Sequence, residues 1–242
     1  IEPQMSDNTH GVSFHFGPSY ERTDDDGLNS IILHLFVFDR YQFGDEMGFR
    51  LEEQDFAPTS WSLSNGGPKL QRWTIALNDD DNTTSMSCER LSDLKADMPT
   101  FHPDKDGLFC RYMYSVCGIR ETGFFPFNAL CKYDLGAPDK AVEIWPPGAA
   151  NAVRTNNYED WDGGPGVYAE PLFVPRRQEG GSAHEVDIDE DDGFLLTTFH
   201  DAEAGTTTLE IFDAQKFSDG PIQQIPLGEL MGWNVHSSFD PA

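Results

Sequence analysis

Two of the seven histidines in this 242-residue chain sit among aromatic residues at opposite ends. One is His15, in Phe14-His15-Phe16-Gly17-Pro18-Ser19-Tyr20-Glu21. The other is His236, in Gly232-Trp233-Asn234-Val235-His236-Ser237-Ser238-Phe239. A histidine among aromatics can be a core residue whose ring nitrogens are hydrogen-bonded. The same imidazole, kept neutral, is a good ligand for iron or zinc. A ligand histidine also needs its second ring nitrogen held by a carboxylate or carbonyl. Acids in apolar settings are therefore the natural complement. Glu170 stands directly before Pro171 and the apolar run Leu172-Phe173-Val174, and Asp97 precedes Met98-Pro99. Both can also be read as turn or strand-edge carboxylates.

Other chemistry is thinly represented. Cys88, Cys110, Cys117 and Cys131 contain no close pair of the zinc-ribbon kind and make a poor disulfide framework, so four reduced thiols are expected. Cys110 and Cys117, seven apart, would point to opposite faces of a regular strand. No nucleophile elbow and no glycine-rich phosphate loop occurs. The acidic run Asp187-Ile188-Asp189-Glu190-Asp191-Asp192 lacks the ligand spacing of a calcium loop and reads as a solvated loop before a strand. His10, His102 and His184 read as loop residues. His34 and His200 lie within strand-like runs and alternate with apolar neighbours, a pattern compatible with facing out from a sheet, and His200 is read as taking no part in a metal site. Asn82-Thr83-Thr84 is a glycosylation sequon that matters only in a secreted chain.

The elements that must position these groups are short strands. The formal charge is -26, from 42 acidic and 16 basic residues. Such a surface disfavours nucleic acid, whose recognition depends on neutralising phosphates, and simple docking to anionic lipid. Hydrophobic residues make up 38%, with 18 Phe and 5 Trp, enough for a sizeable core. No stretch reaches the roughly 18 apolar residues of a membrane span. The chain begins with Ile and shows no signal peptide, so its amino terminus and any targeting segment are expected to be missing. Apolar runs with period-two alternation recur between Gly, Pro, Asp and Asn turns, as in 31–39, 71–77, 109–117, 128–135, 142–146 and 170–175. Residues 193–201 and 207–214 read as a hairpin turning at Ala202-Glu203-Ala204-Gly205, with 221–227 as a third strand. An all-β fold follows, as a propeller or a sandwich. Residues 40–70 and 146–167 read as long loops.

Several stretches, in order, resemble one family, the carotenoid cleavage oxygenases. The segment 14–21 is similar to that family's Phe-His-His-x-Asn-Ala-Tyr-Glu. Asp97-Met98-Pro99 is similar to its Glu-Phe-Pro, 111–118 to its Arg-Tyr-x-Tyr strand, and Lys132-Tyr133-Asp134 to its Lys-x-Asp. Residues 169–176 resemble Gly-Glu-Pro-x-Phe-Val-Pro-Arg, and 235–239 the terminal Phe-His-Gly-x-Phe. The resemblance implies a seven-bladed β-propeller, with residues 1–242 as a partial propeller equivalent to the carboxy-terminal half and lacking the amino-terminal blades. It implies Fe(2+) bound by His15 and His236, with Asp97 and Glu170 supporting iron-bound histidines. Two further family ligands have no counterpart here. Phe16, Pro18, Asp97 and Ser237 depart from the family's residues at their positions.

The implied activity is non-haem iron cleavage of a carbon–carbon double bond in a carotenoid or apocarotenoid by O2, giving carbonyl products. The alternatives are an isomerohydrolase of the same family, or an inactive propeller-like binding or assembly protein. The implied partners are an apolar polyene, O2, the missing amino-terminal half and a peripheral membrane contact. Phe14, Phe16, Trp73, Phe124, Phe125, Phe127 and Trp233 are candidates for an apolar tunnel. Cytoplasm and plastid both remain open as locations.

Overall fold

The expected strands form, and their pairing explains the runs of apolar residues. The computed structural model describes residues 11–38, 67–77, 84–119, 125–137, 142–157, 166–176, 189–229, 231–232 and 236–238. Strands β1 (Val12–Phe16), β2 (Tyr20–Thr23), β3 (Asn29–Phe38), β4 (Lys69–Leu77) and β5 (Thr84–Thr100) come first. β6 (Tyr112–Cys117), β7 (Ala129–Asp134) and β8 (Val142–Trp145) complete an eight-stranded array. After helix α1 (Pro147–Thr155), strands β9 (Gly166–Tyr168), β10 (Leu172–Pro175), β11 (Gly193–Asp201), β12 (Thr206–Asp213) and β13 (Pro221–Glu229) form a five-stranded sheet.

The 17-residue strand β5 is the pivot of the first array. Its first part pairs with β4, from Leu77↔Thr84 to Gln71↔Arg90. Its last part pairs with β6, at Ala96↔Cys117 and Asp97↔Val116. The register slips in both pairings, so the strand passes from one sheet into the next. Sheet one is thus β1–β4 with the start of β5. Sheet two is the end of β5 with β6–β8, and sheet three is β9–β13.

Sheet two is covered on both faces, which is why its strands read as near-continuous apolar runs. Met113 and Cys117 of β6, with Cys131 and Tyr133 of β7, join Phe36 and Leu70 of sheet one in one core cluster. Tyr114 and Val116, with Leu130, join Phe173, Leu195 and Phe212 of sheet three in another. Successive residues supply opposite faces, as a two-residue period requires. Full burial of each large side chain contributes about 1.5–3 kcal/mol. All four cysteines are free; Cys110 precedes β6 and is buried, as are Cys117 and Cys131. The expected hairpin is present: β11 and β12 pair from Phe194↔Asp213 to Asp201↔Thr206, and Gly205 takes φ 67° in the turn. β13 is its third strand.

Several expectations need correction. The start of the 146–167 loop is helix α1. Pro147 stands where a missing N–H costs nothing, alanines follow, and Asn156 caps the end in the left-handed region at φ 51°. Pro146, Pro147 and Asn156, which suggested a loop, are its terminators. Residues 40–66 of the other expected loop, and Asn82-Thr83 of the sequon, lie outside the described residues. The acidic run is not merely solvated. Asp191 pairs with Lys132 at 2.8 Å, Asp192 with Arg176 at 2.8 Å, and Glu190 with Lys105 at 3.4 Å. His102 lies in a loop but is buried against Phe173.

His34 and His200 also face inward, not outward, and are buried. His34 donates from Nδ1 to the Pro18 carbonyl at 2.6 Å, and its Nε2 accepts from Arg72 Nε at 3.2 Å. Burial pushes its pKa from 6.5 to about 4, with Arg72 adding to the effect against the opposing Pro18 bond. Between those values the unfolded chain binds a proton that the folded chain does not. Stability from this group is therefore whole above pH 6.5 and falls as pH drops toward 4. The expected loss is about 3 kcal/mol. Urea midpoints measured across that window should fall more steeply for the native protein than for His34→Gln. Identical slopes would remove His34 as the cause.

Candidate functional site

Each sheet presents a proline-interrupted strand, and the polar groups of interest lie at the interruptions. β1 and β2 both pair with β3 and are separated by Gly17-Pro18-Ser19. β9 and β10 both pair with β11 and are separated by Ala169-Glu170-Pro171. In β5, Asp97 is followed by Met98 and Pro99, where the register with β6 slips. Proline cannot donate to a ladder, and a bulge re-aims neighbouring side chains. Met98 has φ 56°, which costs a residue with a Cβ about 1–2 kcal/mol. Pro99 further disfavours departures from extended backbone there. Such strain persists only where surrounding packing fixes it, and Met98 is buried in the cluster between sheets two and three. Gly17 is required by close approach: a Cβ there would lie 2.6 Å from Met113 Sδ.

These interruptions bring four predicted residues together. His15, on β1, donates from Nδ1 to Asp97 Oδ1 at 3.0 Å, and the carboxylate is only 6% exposed. The Asp97 hydrogen bond raises the His15 pKa; burial opposes it, and the charges of Asp97 and Glu170 add to it. His236 Nδ1 lies 3.3 Å from Glu170 Oε1. Glu170 Oε2 accepts the Ser237 backbone N–H at 2.8 Å, and the Ser237 hydroxyl donates to the Glu170 carbonyl at 3.4 Å. The two imidazole rings lie 5.6 Å apart between centroids, at 70°. A carboxylate on each Nδ1 places the proton there and the lone pair on Nε2. Neither Nε2 has a hydrogen-bond partner among the described residues. Imidazoles backed by carboxylates fit a first-row divalent metal when Nε2 carries no proton. Among the described residues no group of three or more His, Cys, Asp or Glu gathers at metal-binding distance.

The aromatic candidates separate. Phe14 and Phe16, on either side of His15, are 43% and 58% exposed. Phe127 is core, while Trp73 and Phe125 are half-buried. Phe124 and Trp233 lie outside the described residues. Sequence reasoning missed the part of Ser237, whose amide holds Glu170. It also missed the backbone of Met98, although Met98-Pro99 was the available signal.

The family model described as RPE65, retinal pigment epithelial membrane protein, matches residues 2–241. The chain belongs to the carotenoid cleavage oxygenase family. It is 26% identical over 229 residues to an apocarotenoid-15,15'-oxygenase of Synechocystis, covering 95% of this chain and 38% of that protein. It is 24% identical over 240 residues to a carotenoid 9,10(9',10')-cleavage dioxygenase of Crocus sativus, covering 96% and 41%. This family member thus spans about two-fifths of the length of these relatives. Its fold matches cobalt-substituted Synechocystis ACO with a TM-score of 0.68 at 23% identity, over 96% of this chain and 40% of that one. An ACO/RPE65 chimera matches with a TM-score of 0.65 at 22% identity, over 93% and 39%. The architecture is therefore an all-β domain homologous to the seven-bladed propeller, corresponding to a carboxy-terminal-like part of it. No helix among the described residues is long and apolar enough to cross a membrane.

Proposed function

We propose that this protein contributes half of the iron site of an oxygenase that cleaves a carbon–carbon double bond of a carotenoid or apocarotenoid with O2, giving carbonyl products. The observation that supports this reading is the pair of imidazoles 5.6 Å apart, each with Nδ1 on its own carboxylate. His15 and His236 would hold Fe(2+) through Nε2, and further ligands would come from a counterpart of the part of the relatives that this chain does not span. Bound there, iron would supply the oxygen chemistry. The protein's own groups do the rest. Asp97 and Glu170 fix the tautomers and partly balance the metal's charge. Phe14 and Phe16 offer apolar surface beside His15 for a polyene.

The test is iron analysis of the longest natural chain, followed by incubation with an apocarotenoid in air and identification of carbonyl products. About one iron per chain and two carbonyl fragments are expected. A chain that retains no iron, or leaves every polyene supplied intact, would refute the reading. Within it, Glu170→Gln keeps size and an acceptor oxygen but removes the charge, so iron affinity should fall about 10–100-fold with the fold kept. Glu203→Gln, in the exposed β11–β12 turn, is the control. If titrations give both variants the native iron affinity, Glu170 is a strand-edge acid only.

A further inference from the structure

We propose that His200 is a positioning residue: it pins the chain that returns after β13 and so seats His236 against Glu170. Its place on β11 is opposite the tail's anchor, Thr207 of β12. The Met231 backbone N–H donates to Thr207 Oγ1 at 2.9 Å. The Thr207 hydroxyl in turn lies 3.4 Å from His200 Nδ1, and His200 Nε2 lies 2.9 Å from Thr198 Oγ1. Because Thr207 accepts from Met231, its own proton points to Nδ1. That leaves the Nε2 proton of a neutral ring to donate to Thr198. His200 and Thr207 are both buried, so neither has water as an easy substitute partner.

The same strand holds the other end of the site. The Thr198 carbonyl accepts from Ala169 N at 3.0 Å, and the Thr197 hydroxyl donates to the Ala169 carbonyl at 2.8 Å. Ala169 adjoins Glu170, whose carboxylate meets His236 and the Ser237 amide. The contacts close a ring from β11 to Glu170, to the tail at 236–237, back to Met231 and through Thr207 to His200. A histidine suits the middle of such a ring because it accepts on one side and donates on the other. A side chain that cannot accept leaves the proton of the buried Thr207 hydroxyl without its partner.

The inference rests on the ligand reading of His236 only for its effect on iron; the pinning itself is read without metal. In the longest natural chain, His200→Leu and Thr207→Val should speed hydrogen exchange at Met231 and Ser237 about tenfold. Both should weaken iron binding about 10–100-fold. His200→Asn, whose amide oxygen sits where Nδ1 sits, should lie closer to the native protein. The global unfolding midpoint, measured alongside, separates local release from general loss of structure. If His200→Leu does not fold, Thr207→Val, which exchanges one hydroxyl for a methyl, decides. Native exchange at Met231 and Ser237 in Thr207→Val would overturn the pin. Faster exchange with unchanged iron affinity would overturn its link to the site. Should His236→Ala keep its iron, the ligand reading fails, and the exchange measurements still decide the pin.

Discussion

Iron retention should be lost in His236→Ala and in His15→Ala, measured as metal content after gel filtration of the longest natural chain. Removing a carboxylate behind a ligand costs about 10–100-fold in affinity, and removing the ligand itself costs more than that. The two histidines carry equal weight in the proposed site, although their surroundings differ. His15 sits on a strand with its ring 22% exposed, and His236 lies in the tail with its ring 68% exposed. Truncating His236 therefore removes little packing, and loss of iron would not be a folding defect. His34→Gln is the contrasting variant. That histidine is held by Pro18 and Arg72 within the fold, so its replacement should change stability and leave iron near the native level. A His236→Ala protein that still carries one iron per chain would end the assignment.

The largest effect on stability is expected at Lys132. Its side chain is 5% exposed, and Nζ reaches Asp191 Oδ2 at 2.8 Å and the Ala214 carbonyl at 2.9 Å. Nζ also lies 4.5 Å from the centre of the Tyr112 ring. Lys132 belongs to β7 of sheet two, whereas Asp191 and Ala214 flank the β11–β12 hairpin of sheet three. Lys132→Met keeps the apolar stem but leaves a poorly solvated carboxylate unpaired, a change that costs about 3–5 kcal/mol. Replacing both partners, as in Lys132→Met with Asp191→Leu, should recover most of it, because no charge is then stranded. Urea unfolding of the single and double variants measures the cycle. A single-variant loss below about 1 kcal/mol would reduce the pair to an ordinary surface contact.

The strands were legible because backbone pleating imposes its period on each residue locally. The β11–β12 hairpin could be read from alternation and one glycine. Burial was harder to read, because it depends on what covers each face. His34, His200, Lys132 and the acid run all look suited to water until the facing sheet is in place. Few cations exist in the chain, and Lys132 and Arg176 meet that acid run. Helix α1 was hidden because its caps are the residues that also make loops. The site lay between these cases. His15, Asp97, Glu170 and His236 were singled out by motif, but their pairings span 82 and 66 residues, a distance over which local pattern carries no information.

Strand β5 also decides which parts of the molecule can open separately. Since it lies in two sheets, neither can lose its pairing without exposing the other, and sheets one and two form one cooperative unit. Among the described residues sheet three shares no strand with them and meets them largely through side chains such as Lys132 and Tyr114. His15 and Asp97 thus belong to one unfolding unit, Glu170 and His236 to the other. A fluctuation that frees sheet three would carry away one histidine with its own carboxylate and leave the other pair intact. A metal bridging the two rings would act as a latch between units, and its loss would appear first as hydrogen exchange in sheet three.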